Sequence, residues 1–166
     1  INLGKATRMN DAQGRYIEFC KSNFKDLDLS ELSLLLDCAH GATYSVAPKV
    51  FEELGANVNT IGTEPDGVNI NQNCGSTNPD FIREEIIKGG YDLGISFDGD
   101  GDRILLVSNT GKILDGDDLL YILSKDLNQE SGVVGTLMTN KALELHFNQM
   151  NIEFCRSDVG DKYVLQ

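Results

Sequence analysis

The sequence predicts an α/β fold, a mixed and mostly parallel sheet flanked by helices, followed by the start of a second, similar α/β unit. Two observations carry that reading. Apolar runs of strand length alternate with segments whose apolar residues recur at helical spacing, the order expected of strands joined by helices. The run Tyr91 to Phe97 then ends abruptly in an acidic loop, and the carboxyl ends of strands are where open α/β sheets present their ligands.

In chain order, Ala12, Tyr16, Ile17, Phe19 and Cys20 recur at helical spacing behind Asn10 or Asp11 as a cap, giving a first amphipathic helix. Leu32 to Cys38 is an apolar run of strand length. Val46 to Leu54, closed by Gly55, is a helix with a C-terminal glycine, and Ala56 to Ile61 is the next strand. Gly62 to Thr77 is rich in Gly and Asn and reads as a long surface or interdomain loop. Asn78 and Pro79 start a helix that runs to Lys88 and stops at Gly89-Gly90, before the buried strand Tyr91 to Phe97. Ile104 to Ser108 and Lys112 to Leu114 flank Asn109-Thr110-Gly111 as a hairpin. Asp115-Gly116-Asp117-Asp118 caps a helix continuing to Leu127, its carboxylates favoured by the helix dipole. Beyond 128–131 the pattern restarts with a strand from Gly132 to Met138, a helix from Asn140 to Met150 and a strand from Ile152 to Cys155. The boundary between the units is expected near Leu114, giving domains 1–114 and 115–166, the second cut off at Gln166.

The loop that carries chemistry is Asp98-Gly99-Asp100-Gly101-Asp102-Arg103. Three ionised carboxylates this close repel one another and raise each other's pKa, unless a hard divalent cation sits among their oxygens. The intervening glycines let the backbone curl so that the three converge. Arg103 adds the side chain best shaped to grip a phosphate through two parallel hydrogen bonds. A solvated Asp/Gly turn is the plainest alternative, but turn chemistry seldom needs three carboxylates and an Arg. An EF-hand calcium loop wants Gly sixth and Glu twelfth, and counting from Asp98 those positions hold Arg103 and Asn109. An aspartyl phosphatase of the haloacid-dehalogenase kind would use Asp98 and Asp100 as nucleophile and acid, but its usual Thr or Val is here Asp102. It stands as the rival enzyme class.

The stretch Asp98 to Arg103 resembles the metal loop of the α-D-phosphohexomutases. Further stretches resemble that superfamily's bacterial phosphoglucosamine mutase branch: Gly4 to Arg8, Asp11 to Lys21, Leu36 to Tyr44, Gly67 to Asn71 with Cys74 to Thr77, and Val159 to Val164. The resemblance runs from end to end, with His40 as a small departure where Asn is the common residue. It implies the second domain and the front of the third of an enzyme that interconverts glucosamine 6-phosphate and glucosamine 1-phosphate. In that family a phosphoserine in the first domain passes its phosphoryl group to a sugar phosphate, and the resulting bisphosphate returns its other phosphate to the serine.

Carried over on this resemblance, Asp98, Asp100 and Asp102 are expected to ligate Mg2+, and Arg103 to hold the transferring phosphate. Lys162, beside Asp161, is a further candidate phosphate or sugar contact, although a solvated Lys at a helix start is the simpler reading. His40 reads as a locally bonded loop residue, and His146 as structural or exposed. Asn69 and Asn71 suit either docking of a missing first domain or left-handed turns. The phosphoserine, sugar-recognition and phosphate-clamp loops of the family are not found among these residues, so no catalytic residue is assigned, and the chain alone is expected to be inactive. The expected partners are a sugar phosphate and the first, remaining third and fourth domains of the same enzyme, with a homodimer of the full-length protein compatible with the likeness. Two alternatives stay open: a phosphomannomutase or phosphoglucomutase fragment, because the sugar-choosing loop lies elsewhere, and a non-catalytic metal-binding or docking module.

Composition excludes other classes. A net charge of −12 and pI near 4.4 argue against a nucleic-acid surface, which needs clustered Lys and Arg. No apolar run approaches membrane-span length. Cys20, Cys38, Cys74 and Cys155 show no Cys-x-x-Cys pairing and are expected to be reduced thiols of a cytoplasmic protein.

Overall fold

The computed structural model describes residues 4–125 and 132–166. Strand β1, Ser33–Asp37, reads Ser-Leu-Leu-Leu-Asp and is buried through its last four residues. A strand apolar on both faces must lie inside a sheet with helices on either side. β1 accordingly runs parallel to β2 (Asn57–Ile61) on one side and to β3 (Leu93–Phe97) on the other. β3 also pairs antiparallel with β4 (Ile104–Ser108), and β5 (Ile113–Leu114) completes the order β2-β1-β3-β4-β5.

The leucines of β1 alternate between two cores, as side chains on a pleated strand must. Leu34 and Leu36 join Cys38, Ala47, Ala56 and Ile95, with Phe51 and Phe97 packed alongside. Leu35 points the other way, into Ile82, Ile86 and Val107. The first core lies under α2 (Ala47–Glu53), and the second under α3 (Pro79–Gly89), whose C-cap Gly90 is left-handed as the double glycine suggested. Helix α1 (Ala12–Ser22) packs on α2, tied by Gln13 Nε2 donating to the Ser45 carbonyl at 2.9 Å and by the Lys21–Glu53 ion pair. Asp11 stands at the α1 N-cap, but its carboxylate pairs with Arg15 and makes no cap hydrogen bond.

The chain divides into two compact units, the first ending at Ile113 and the second running from Leu114 to Gln166. The second begins with α4 (Gly116–Ser124), where Asp115 accepts from the amides of Asp117 and Asp118 and Asp118 reaches back, a full capping box. The expected end of this helix at Leu127, and the 128–131 connection, lie outside the described residues. Then come β6 (Val133–Thr136), α5 (Lys141–Gln149), β7 (Phe154–Ser157) parallel to β6, and the short α6 (Asp161–Val164). β7 starts two residues later than the apolar pattern suggests. Asn151 at φ 57° and the Ile152 amide bonded to Phe147 O at 2.9 Å spend the preceding residues closing α5.

All four cysteines are free, Cys38 and Cys74 being buried. Burial, aided by the Asp37 charge, pushes both thiols up to about 11, so neither is a nucleophile at neutral pH. Among the described residues no helix is long and apolar enough to cross a membrane.

Two stability predictions follow from this packing. Ile82 has no exposed surface and closes the core beneath α3, so Ile82→Ala should lower the unfolding free energy by about 2–5 kcal/mol, read from urea denaturation. In the second unit, hydrogen bonds from Lys141 and Arg156 hold the Glu144 carboxyl below the usual range. A lowered carboxyl pKa stabilises the fold above the unfolded value, and that stability is lost as pH falls through the folded one. Glu144→Gln should therefore weaken the pH dependence of unfolding on the acid side while leaving a smaller effect near pH 7 than any core truncation.

Candidate metal centre

The strand order puts β1 between the two strands that follow it, so the chain leaves β1 in one direction to reach β2 and returns across it to β3. The carboxyl ends of β1 and β3 therefore form a topological switch point, the crevice open α/β sheets use for ligands. The acidic loop sits there as the link from β3 to its antiparallel neighbour β4.

The loop closes on its first residue. The Asp98 amide donates to Arg103 O at 3.2 Å, and Gly101 N donates to Asp98 O at 3.2 Å. The Asp98 side chain, only 1% exposed as a residue, accepts on Oδ1 from the amides of Gly101 (3.1 Å) and Arg103 (3.2 Å). Its Oδ2 takes the Arg103 guanidinium through Nε and Nη2, both at 2.8 Å. Asp100 and Asp102 project outward, and one oxygen from each of the three carboxylates lies within 4.8 Å of the others.

Electrostatics separates the three. Burial works to raise the Asp98 carboxyl, but its bonds to the Arg103 amide, to the Asp102 carboxyl and to the Arg103 guanidinium together outweigh it and hold the group below the ordinary range. Asp102 is pushed up, chiefly by its hydrogen bond to Asp98, then by partial burial and by the charges of Asp100 and Asp98. One guanidinium against three carboxylates leaves two negative charges uncompensated, the charge of a divalent cation. The donors are all hard oxygens, which suit Mg2+ or Ca2+ rather than a soft metal. Around Mg2+, bonds of about 2.1 Å set neighbouring oxygens about 3 Å apart and opposite ones about 4.2 Å apart. Three hard oxygens within 4.8 Å of one another are close to that span, so the residues fit such an ion.

Arg103 does not reach outward here as a phosphate grip would. It folds back on Asp98 and, at 3.3 Å, on Asp102, while its side chain stays 73% exposed. Lys162 belongs to the second unit, where its ammonium stands 4.6 Å over the Tyr163 ring, and neighbouring Asp161 opens α6. His40, at φ 49°, accepts on Nδ1 from the Glu64 amide at 3.1 Å, a local loop role. His146 lies edge-on to Tyr121, ring centroids 5.2 Å apart. Asn69 ties its own loop to Glu64 and Asp66, and Asn71 takes a left-handed turn at φ 58°.

Sequence reasoning overlooked Asp37, a fully buried carboxylate at the end of β1. Its signal was available: a charged residue directly after three leucines, at a strand end that meets the acidic loop.

Residues 14–111 match the family model of phosphoglucomutase/phosphomannomutase alpha/beta/alpha domain II, and 115–166 that of domain III. The chain is 56% identical over 171 residues to a phosphoglucosamine mutase of Legionella pneumophila, covering all of this chain and 38% of that protein. A phosphoglucosamine mutase of Acinetobacter baumannii is 54% identical over 167 residues, at 99% and 38% coverage. The chain thus spans less than two fifths of these relatives. The structure resembles that of a phosphoglucomutase/phosphomannomutase family protein from Burkholderia thailandensis, with TM-score 0.75, 23% identity, and 92% of this chain against 34% of that one. A phosphomannomutase described as putative, from Thermus thermophilus, gives TM-score 0.73 at 19% identity, with 95% of this chain and 38% of that one covered. At such identities these two establish the fold alone.

The loop's support yields a prediction. Gly41 lies against the backbone of Gly99, and a Cβ added there would stand 2.2 Å from the Gly99 carbonyl oxygen. Gly41→Ala must displace the acidic loop, so it should cost about 1–3 kcal/mol of stability and weaken divalent-metal binding measured by calorimetry. Gly14→Ala, with nothing within 4 Å inside α1, is the control and should be neutral or stabilising by up to about 1 kcal/mol.

Proposed function

The chain belongs to the phosphoglucomutase/phosphomannomutase family, and from that premise we propose that it supplies the metal-holding limb of a phosphoglucosamine mutase. In this reading residues 1–114 are the second domain and 115–166 the front of the third. The observation that carries it is the convergence of Asp98, Asp100 and Asp102 at the strand-order switch point with two charges left unneutralised. The sugar is assigned from relatives 54–57% identical over nearly the whole chain that bear the phosphoglucosamine mutase name.

The three aspartates would hold Mg2+, which when bound neutralises phosphoryl oxygens and so lowers the barrier to transfer. Asp98 does two jobs, organising the loop through its backbone bonds and lending an oxygen to the site. Asp100 and Asp102, being exposed, turn toward the ion at little cost to the fold. Arg103, whose side chain is largely exposed beside these carboxylates, would bind and orient a phosphate through its guanidinium fork. Lys162 is a second candidate anion contact on the same family likeness. The phosphoryl-carrying serine and the remaining domains belong to other parts of the enzyme, whose surroundings are aqueous and cytoplasmic in this reading.

The test is turnover of glucosamine 6-phosphate to glucosamine 1-phosphate by the phosphorylated full-length protein at saturating Mg2+, compared with glucose and mannose 6-phosphates. A preference for either neutral sugar would overturn the sugar assignment. Residues 1–166 alone should show no conversion. Asp100→Asn should raise the Mg2+ requirement by about tenfold or more, at least the scale on which metal sites respond to loss of the groups that orient their ligands, with the melting temperature unchanged. Arg103→Lys keeps the charge and loses the fork. It should lower turnover while Mg2+ affinity changes little, and unchanged turnover per folded molecule would rule out the phosphate role.

A further inference from the structure

The geometry points to Asp37 as a positioning residue for the metal loop: its buried carboxylate, with no metal-ligand role of its own, fixes the two loops between which Asp98–Asp102 are held. This inference rests on the proposal that those aspartates bind a divalent cation.

Asp37 ends β1, has no exposed surface, and spreads its bonds over three parts of the chain. Oδ1 accepts from the Ala39 amide at 3.0 Å, in the turn leaving β1. Oδ2 accepts from the Gly75 amide at 2.6 Å, in the long loop between β2 and α3, and from Ser96 Oγ at 3.3 Å, two residues before Asp98. The two loops reached through backbone amides are those that touch the acidic loop. From the first, Ala42 N donates to Gly99 O at 2.9 Å. From the second, Ser76 N donates to Phe97 O at 2.8 Å, and Ile70 and Asn71 lie so close to Gly99 that a Cβ there would come within 2.7 Å of Ile70 Cδ1 and 2.9 Å of Asn71 Nδ2. The two loops are also joined directly, Asn71 N to Ala39 O at 2.8 Å. Gly75, at φ 82°, is packed so that an added Cβ would stand 2.7 Å from Ala39 Cβ and 3.1 Å from Phe97 O, so the amide that Asp37 holds sits where the two loops and the end of β3 meet closely.

A carboxylate is costly to bury, and here neutral donors satisfy it. An apolar residue of similar size would fill the space but leave two buried amides orphaned; Asn would keep the shape and turn one amide acceptor into a donor facing a donor. What only a carboxylate supplies is simultaneous acceptance from both loops and β3. Positioning of this kind, at one remove from metal ligands, typically governs affinity by 10–100-fold on mutation.

The test is Mn2+ binding, read by electron paramagnetic resonance as a stand-in for Mg2+, to residues 1–166 with and without Asp37→Asn, alongside thermal melting. The expected result is a dissociation constant raised about tenfold or more in folded Asp37→Asn. Unchanged affinity with a lowered melting temperature would make Asp37 merely structural and overturn the inference. If Asp37→Asn does not fold, Ser96→Ala decides: it removes one bond and leaves the carboxylate two amides. A raised dissociation constant in folded Ser96→Ala supports the role, and no change overturns it. Failure of the unsubstituted chain to bind Mn2+ would instead sink the metal reading itself, and this inference with it.

Discussion

Burial of β1 on both faces is the constraint from which the rest of the first unit follows. Three consecutive leucines cannot be covered from one side, so α2 and α3 must lie on opposite faces and β1 must have a strand on each edge. With parallel neighbours and helical crossovers, the strands added after β1 go to either side of it. That arrangement opens a crevice at the carboxyl ends of β1 and β3, where backbone amides of three loops converge with no strand left to pair them. Polar side chains must satisfy those amides, and Asp37 and Asp98 do so from adjacent strands. The acidic loop is thus an outgrowth of sheet topology as much as of local sequence.

Features governed by local periodicity and local chemistry were legible in the sequence. The three leucines announced β1, Asn78-Pro79 and Gly90 bracketed α3, and Asp115 with Asp118 spelled the capping box of α4. The spacing of Asp98, Asp100 and Asp102 announced their convergence, because two residues per step with glycines between leaves a tight turn little choice. Features that depend on distant partners were not legible. A carboxylate directly after three leucines marks Asp37 as unusual, but Gly75 and Ser96 lie 38 and 59 residues away, so the loops it joins are not legible near it. β7 was misplaced for a related reason: its start is decided by how α5 closes, through Ile152 and Phe147, and not by its own apolar residues.

The three aspartates share a charge and differ in everything else. Asp98 is buried, has both oxygens occupied by protein donors, and is held ionised by them. Asp102 is exposed and pushed toward its protonated form by its neighbours. The Arg103 guanidinium lies against both Asp98 and Asp102, so the fork and two of the carboxylates are engaged with one another. In the reading proposed above, a dication among the carboxylates would weaken their hold on the guanidinium.

If the loop holds a dication, charge alone would favour its binding before an anion. An anion arriving first would meet two uncompensated carboxylates and a guanidinium already engaged, a poor receptor. With a cation held there, the same loop would be close to neutral and would leave the exposed guanidinium available to an anion. Exposure of the Arg103 side chain at 73%, against near-complete burial of Asp98, places the guanidinium on the outside of the loop and the first carboxylate beneath it. A loop built to be merely acidic would gain nothing from burying its first carboxylate. Burying Asp98 under amides and holding its strand through Ser96 and Asp37 makes sense where the position of one oxygen must be kept while its companions move.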